Sequence, residues 1–275
     1  MVNIGSNTFG SYNYFLVNKV NRFNFVCNLL SAYNNKVKHM NFLSIACGTA
    51  GEESWLVDKF NKVVLVDKEK QKIQEFYEKH DVQGDYEFIQ SEFQKCEFDN
   101  KFDVIYTCSP NDWCDIPGWK IPEYYLSFLE KNLTTNGIFI ARLYGGKNQF
   151  NKNGDYEESF VQNLKDDFKK HNFKVNGFFH HNKKYYDDLN KSNDLWEENP
   201  GYGRHHTGLL VCSRMYHPSK DFYGNNITFF DYDSFEKYYH YPIQLTPKHR
   251  IGSFDIDEAE AIIQNMKLQL QDMEI

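Results

Sequence analysis

The residues best suited to chemistry in this 275-residue chain lie in Leu43-Ser44-Ile45-Ala46-Cys47-Gly48-Thr49-Ala50-Gly51-Glu52, an apolar run that ends in small residues. Small residues let the backbone come close to a ligand, and glycine tolerates a positive φ. Ala46, Cys47, Gly48, Thr49 and Gly51 are therefore candidate ligand-contacting positions. Nineteen residues past Gly48 stands Asp67, directly after Val63-Val64-Leu65-Val66. A carboxylate at the end of such a run can accept hydrogen bonds from both hydroxyls of a ribose. The spacing is not the G-x-G-x-x-G of a dinucleotide turn, which counts against a nicotinamide site.

A second group of polar residues, Cys108-Ser109-Pro110-Asn111-Asp112-Trp113, follows another apolar run. Asp112 is its candidate general base. Further along, His180, His181, His205 and His206 bracket a 28-residue segment, 180–207, which also holds Tyr185, Tyr186, Trp196 and Tyr202. Two His-His pairs without a nearby cysteine or acidic ligand pattern do not make a metal centre, and no metal is expected. The six cysteines, Cys27, Cys47, Cys96, Cys108, Cys114 and Cys212, form no C-x-x-C pair. That excludes a zinc ribbon and a thioredoxin-like motif, and leaves small, reduced, mostly buried thiols.

The elements that must position these residues follow from periodicity. Leu16, Val20, Phe23, Cys27 and Leu30 recur at helical spacing and predict a helix over 11–33. Short apolar runs predict strands at 41–47, 63–67, 86–90, 102–108, 137–143, 173–179 and 208–213. Helices are expected at 52–60, around Ile73, Phe76 and Tyr77, between Pro122 and Asn132, and over Phe160 to Phe168. A last helix, with Ser253 as N-cap, carries Ala259, Ile262, Ile263 and Met266 on one face. Strands alternating with helices predict an α/β domain: a seven-stranded, mostly parallel sheet with helices on both faces.

The stretch around Gly48 resembles motif I of the class I S-adenosylmethionine-dependent methyltransferases, usually an acid followed by Gly-x-Gly-x-Gly. Val63 to Asp67 resembles that family's ribose-binding strand. Phe102-Asp103-Val104-Ile105-Tyr106 resembles its fourth strand, and Leu133 to Ile140 the turn before its fifth. The resemblance covers roughly residues 40 to 213 and implies that the last of the seven strands runs antiparallel. It implies S-adenosylmethionine as cofactor, with Ala46, Cys47, Gly48, Thr49, Gly51, Asp67, Glu92 and Ser109 around it, Glu92 facing the adenine amino group. It places Asn111, Trp113, Tyr144, His180 and His205 in the acceptor pocket, with Asp112 as the base for a hydroxyl acceptor. The 108–113 segment is also similar to the Ser-Pro-Pro-Tyr motif of amino-methylating DNA enzymes, with Asn111 for the second proline and one extra residue before Trp113. Ser44 replaces the usual acid, and Ala46 and Ala50 replace the first and third glycines. Alanine at position 50 requires an ordinary φ there.

Composition bounds the rest. Residues are 41% hydrophobic and 25% charged, which is ordinary for a globular protein and excludes wholesale disorder. The net charge of −7 argues against a protein built mainly to grip nucleic-acid backbone. No apolar run approaches the roughly 20 residues of a membrane span, and Met1 to Gly10 lack a secretion signal, so a cytoplasmic protein is expected. The expected organisation is a helical segment over 1–40 that covers the site, a methyltransferase-like domain over 41–218 with the 180–207 insertion, and an extension over 219–275. A small molecule is the expected acceptor. The alternatives are a nucleobase in DNA or RNA, and a non-catalytic binding subunit of the same fold.

Overall fold

The structure is a computed structural model and describes residues 8–33, 36–80, 82–108, 121–143, 158–180, 208–214 and 256–273. Seven strands form one sheet: β1 (Asn41–Ile45), β2 (Lys62–Asp67), β3 (Tyr86–Gln90), β4 (Phe102–Cys108), β5 (Leu133–Leu143), β6 (Phe173–His180) and β7 (Gly208–Arg214). Their spatial order is β3-β2-β1-β4-β5-β7-β6. The pairs among β1 to β5 are parallel, and β7 runs antiparallel to both β5 and β6. This is the expected α/β sheet. The central strands are mainly apolar because helices cover both of their faces.

On one face lie α3 (Glu123–Asn132) and α4 (Glu158–Lys170). Tyr125, Leu126, Leu129, Leu164 and Phe168 pack there against Leu43, Ile105, Phe139 and Leu210. On the other face lie α1 (Thr8–Ala32) and α2 (Lys70–Lys79). Phe25, Val26, Leu29 and Phe76 pack there with Phe42, Leu65, Val104 and Ile140. The alternation of Phe42 and Leu43, or Val104 and Ile105, between the two clusters is the period-two geometry of a strand.

Helix α1 departs from a one-sided amphipathic helix. All residues from Phe23 to Leu30 are buried. Val20, Phe23 and Cys27, most of the stripe visible in the sequence, face α5 (Ile256–Asp272) through Ala259 and Met266. A second stripe, Phe25, Val26 and Leu29, faces the sheet. The helix is thus sandwiched between the sheet and the C-terminal helix.

The two largest differences from expectation lie at the start of β5 and after Gly51. β5 starts at Leu133 rather than Gly137, because Leu133 already pairs with Phe102 before the register slips. The helix expected over 52–60 is only a 3-10 turn, Glu53–Trp55, continued by turns. Its amides close mainly three residues back, as in Trp55 N–H to Glu52 C=O and Leu56 N–H to Glu53 C=O. Glu52, Glu53, Leu56, Val57 and Phe60 are all buried, the inward face that an amphipathic helix would also present, so periodicity alone does not separate a helix from these turns.

Candidate functional site

The strand order reverses between β1 and β4. At such a point the crossovers diverge to opposite sides, and the crevice at the carboxyl ends of the strands is open to a ligand. The turn after β1 sits there. Ala46 (φ 51°), Gly48 (φ 58°) and Ala50 (φ 46°) are all left-handed. The ordinary φ expected at Ala50 is therefore corrected. Ala50 is fully buried and its N–H reaches the Cys47 carbonyl at 2.9 Å, which requires the curled backbone. Each left-handed alanine costs about 1–2 kcal/mol.

Asp67 fastens this turn from the end of β2. Its Oδ2 accepts the Gly48 N–H at 2.8 Å and its Oδ1 accepts the Glu69 N–H at 2.9 Å. Each oxygen keeps a second lone pair. Among the described residues, a Cβ on Gly48 would meet no atom within 4 Å, so their packing leaves the space over the turn open. Cys47 N–H donates to the Val66 carbonyl at 3.2 Å, and Ser91 N–H to the Asp67 carbonyl at 3.0 Å. These bonds lace the carboxyl ends of β1, β2 and β3 into one edge. Ala46, Cys47, Gly48, Thr49, Gly51, Asp67 and Glu92 all lie along it. The Glu92 side chain is exposed and meets Lys95 Nζ at 2.9 Å.

Below the turn lies a group that the sequence reading did not single out. Glu52 is 2% exposed, and its Oε1 accepts the Tyr106 O–H at 2.6 Å and Arg142 Nη1 at 2.8 Å. Its Oε2 stands 3.1 Å from Arg22 Nε. The Arg22 guanidinium lies directly over Gly51, where any Cβ would collide with it. Beside Glu52, Glu53 Oε1 accepts the Ser44 hydroxyl at 2.6 Å. Burial, with the Glu52 charge next to it, pushes the Glu53 carboxyl up to about 8. The signals were present: Ser44, Tyr106 and Arg142 are polar intrusions into apolar strands, and buried arginines require partners. Burial and then the Glu52 charge push the Cys108 thiol, at the end of β4, up to about 12, so it is no thiolate nucleophile near neutral pH.

Ser109, Asn111, Asp112, Trp113, Tyr144 and His205 lie outside the described residues, as do Cys114, Ser253 and the segment 181–207. His180 ends β6 with its backbone in register with Gly208, so that segment leaves and re-enters at the carboxyl edge.

No family model and no curated protein matches the chain. Similar solved structures are S-adenosylmethionine-dependent methyltransferases. One from Clostridium acetobutylicum is 12% identical, covers 70% of this chain and 91% of its own, and has a TM-score of 0.47. One from Thiobacillus denitrificans, in complex with S-adenosyl-L-homocysteine, is 13% identical, with coverage of 69% and 90% and a TM-score of 0.46. A rRNA methylase from Streptococcus thermophilus is 12% identical, with coverage of 68% and 96% and a TM-score of 0.43. The fold rests on the strand order and register above. Among the described residues, no helix is long and apolar enough to cross a membrane.

Proposed function

We propose that the protein is an S-adenosylmethionine-dependent methyltransferase acting on a small-molecule acceptor. The observation that carries this reading is the left-handed turn after β1, clamped to Asp67 at the switch point and, among the described residues, open above Gly48. The residues fit the cofactor. The turn from Ala46 to Gly51 brings backbone close to it, and the free lone pairs of Asp67 face the ribose hydroxyls. The Ser91–Glu92 backbone borders the adenine side, and Glu92 takes the adenine amino group by releasing Lys95. Ser109 adds a backbone contact from the end of β4.

When bound, the cofactor supplies a methyl group on a sulfonium, a reactive centre whose transfer depends mainly on alignment. The chain's own tasks are then to hold that centre over the β1–β4 crevice and to present the acceptor in line with it. Asn111, Trp113, Tyr144, His180 and His205 are proposed to build the acceptor wall, and Asp112 to take the proton of a hydroxyl acceptor. Residues 1–40 and the 180–207 insertion close the pocket, and 219–275 is an extension whose last helix braces α1. The acidic balance, with a sequence pI of about 5.8, favours a small molecule over a nucleic-acid backbone.

Calorimetric titration of the full chain with S-adenosylmethionine and S-adenosylhomocysteine tests the reading. Saturable binding of both is expected, with Asp67→Ala weakening both. A folded wild-type chain that binds neither overturns it. Binding of both without methyl transfer to any small-molecule or nucleic-acid acceptor supports the non-catalytic alternative instead.

A further inference from the structure

The buried cluster beneath the turn holds more cation than anion. Glu52 Oε1 takes Arg142 Nη1 at 2.8 Å, and its Oε2 stands 3.1 Å from Arg22 Nε. Two guanidinium groups thus share one carboxylate. The other acid of the cluster, Glu53, keeps its proton below about pH 8, so near neutrality it does not balance the second cation. Among the described residues, Glu52 and Glu53 are the acids that act on Arg22. The donors agree with the charges. Arg142 lies over the Phe25 ring, 5.7 Å from its centroid, yet its Nε and Nη2 are buried without a hydrogen-bond acceptor. Arg22 Nε, close as it is to Glu52, makes no aligned hydrogen bond either. Uncompensated charge inside a protein is costly, and an anion at the cluster would offset it.

The two arginines differ in reach. Arg142 is sealed, at 0% exposed. The Arg22 side chain is 31% exposed, and its Nη1 covers Gly51. A ligand that approaches Gly51 from the crevice therefore meets this guanidinium first. Three residues earlier, over Gly48, the described residues leave the space open. Arg22 turns its Nε to Glu52, which leaves the edge formed by Nη1 and Nη2. Such an edge grips a carboxylate through two parallel hydrogen bonds.

We infer that Arg22, with Arg142 behind it, binds a carboxylate at the mouth of the β1–β4 crevice. The inference rests on the methyltransferase reading, under which that carboxylate has two sources. One is the amino-acid end of the cofactor. With the ribose on Asp67 and the adenine beside β3, that end runs past the turn towards β4. The other is an acidic acceptor standing at the ends of β4 and β5, where Cys108 and Arg142 lie.

S-adenosylmethionine and decarboxylated S-adenosylmethionine, which differ in the carboxylate, are titrated calorimetrically into the full chain. If the cofactor is the source, S-adenosylmethionine binds at least about tenfold more tightly, as expected for hydrogen bonds between charged groups. Arg22→Gln then brings the two to equal affinity by weakening S-adenosylmethionine alone. Glu52 keeps Arg142 and Tyr106 in that variant, so the core pair survives. Gly51→Ala, whose Cβ pushes the guanidinium aside, narrows the gap in the same direction. If the acceptor is the source, the two compounds bind the wild type equally. Propionate, and not propionamide, then shifts the Arg22 guanidinium signals in nuclear magnetic resonance spectra of the chain saturated with S-adenosylhomocysteine. Equal binding without a propionate shift overturns the inference, and so does a tenfold preference that survives in folded Arg22→Gln. In both cases the methyltransferase reading stands, because the adenosine-bearing probes still bind. A folded chain that binds none of them removes that reading and this inference together.

Discussion

Asp67 and Glu52 flank the same turn and have the same charge, yet the fold treats them oppositely. Asp67 ends β2 at 9% exposed, holds two backbone N–H groups and keeps a second lone pair on each oxygen. Glu52 is sealed beneath the turn with Arg22, Arg142 and Tyr106 around it. An acid that is to meet a ligand must stay incompletely coordinated and reachable. An acid that is to stabilise a fold must be surrounded, because an unpaired buried charge is expensive. The distinction is one of partners and depth, and it can be tested.

The largest expected effect is on the sealed side. Glu52→Ala leaves the buried Arg142 without its carboxylate and should lower unfolding free energy by about 3–5 kcal/mol, as for breaking one side of a buried pair. Urea denaturation measures this. A loss below 1 kcal/mol would mean that solvent already reaches the group.

Asp67→Ala should act on binding instead. Cofactor affinity is expected to fall by about 1.5–3 kcal/mol, the range for hydrogen bonds to a charged group. Calorimetry at matched folded fraction checks it. If Glu52→Ala weakens the cofactor as much as Asp67→Ala does, the contrast between the two acids fails.

The third prediction concerns pH. Burial and the neighbouring Glu52 charge raise the Glu53 carboxyl to about 8 in the folded state. The unfolded chain releases this proton near pH 4.3, the usual value for glutamate. Between those values the folded state binds the extra proton, so this contribution to stability is present at low pH and is lost as pH rises towards 8. Glu53→Gln, a neutral isostere, should remove it. The stability difference between Glu53→Gln and the wild type should therefore grow in favour of the variant from pH 5 to pH 8 in parallel urea titrations. A difference that stays flat would place Glu53 in contact with water.

The smallest effect tests the strain of the turn itself. Ala46→Gly removes a left-handed alanine on an exposed position, and the gain of about 1–2 kcal/mol is partly offset by the chain entropy of glycine. A net stabilisation of up to about 1 kcal/mol is expected in thermal melts. Destabilisation would show that the Ala46 methyl makes a contact the strain argument neglects.

The antiparallel β7 was legible only through the family resemblance; all seven strands, the small-residue turn after the first and the acid that ends the second were legible in the residues themselves. Each depends on short-range rules. A buried strand is an unbroken apolar run, and a turn that needs a left-handed residue selects a small one. The missed features break such rules locally for a gain elsewhere. The segment after Gly51 tightens into a 3-10 turn in place of the expected helix, with Glu52 and Glu53 both turned inward. Ala50 accepts a positive φ because it is buried in the curl that presents Gly48 to Asp67.

The sequence by itself therefore determined the alternation of strands and helices, the faces that are apolar and the small-residue turn where a ligand can approach. Only the tertiary structure decided that Tyr106, 54 residues from Glu52, and Arg142, 90 residues from it, converge on that one carboxylate. It likewise decided that α1 is buried on two sides. Local preference acts over a few residues, whereas these contacts exist only once β4 has paired with β1 and β5 with β4, and the C-terminal helix has closed over α1.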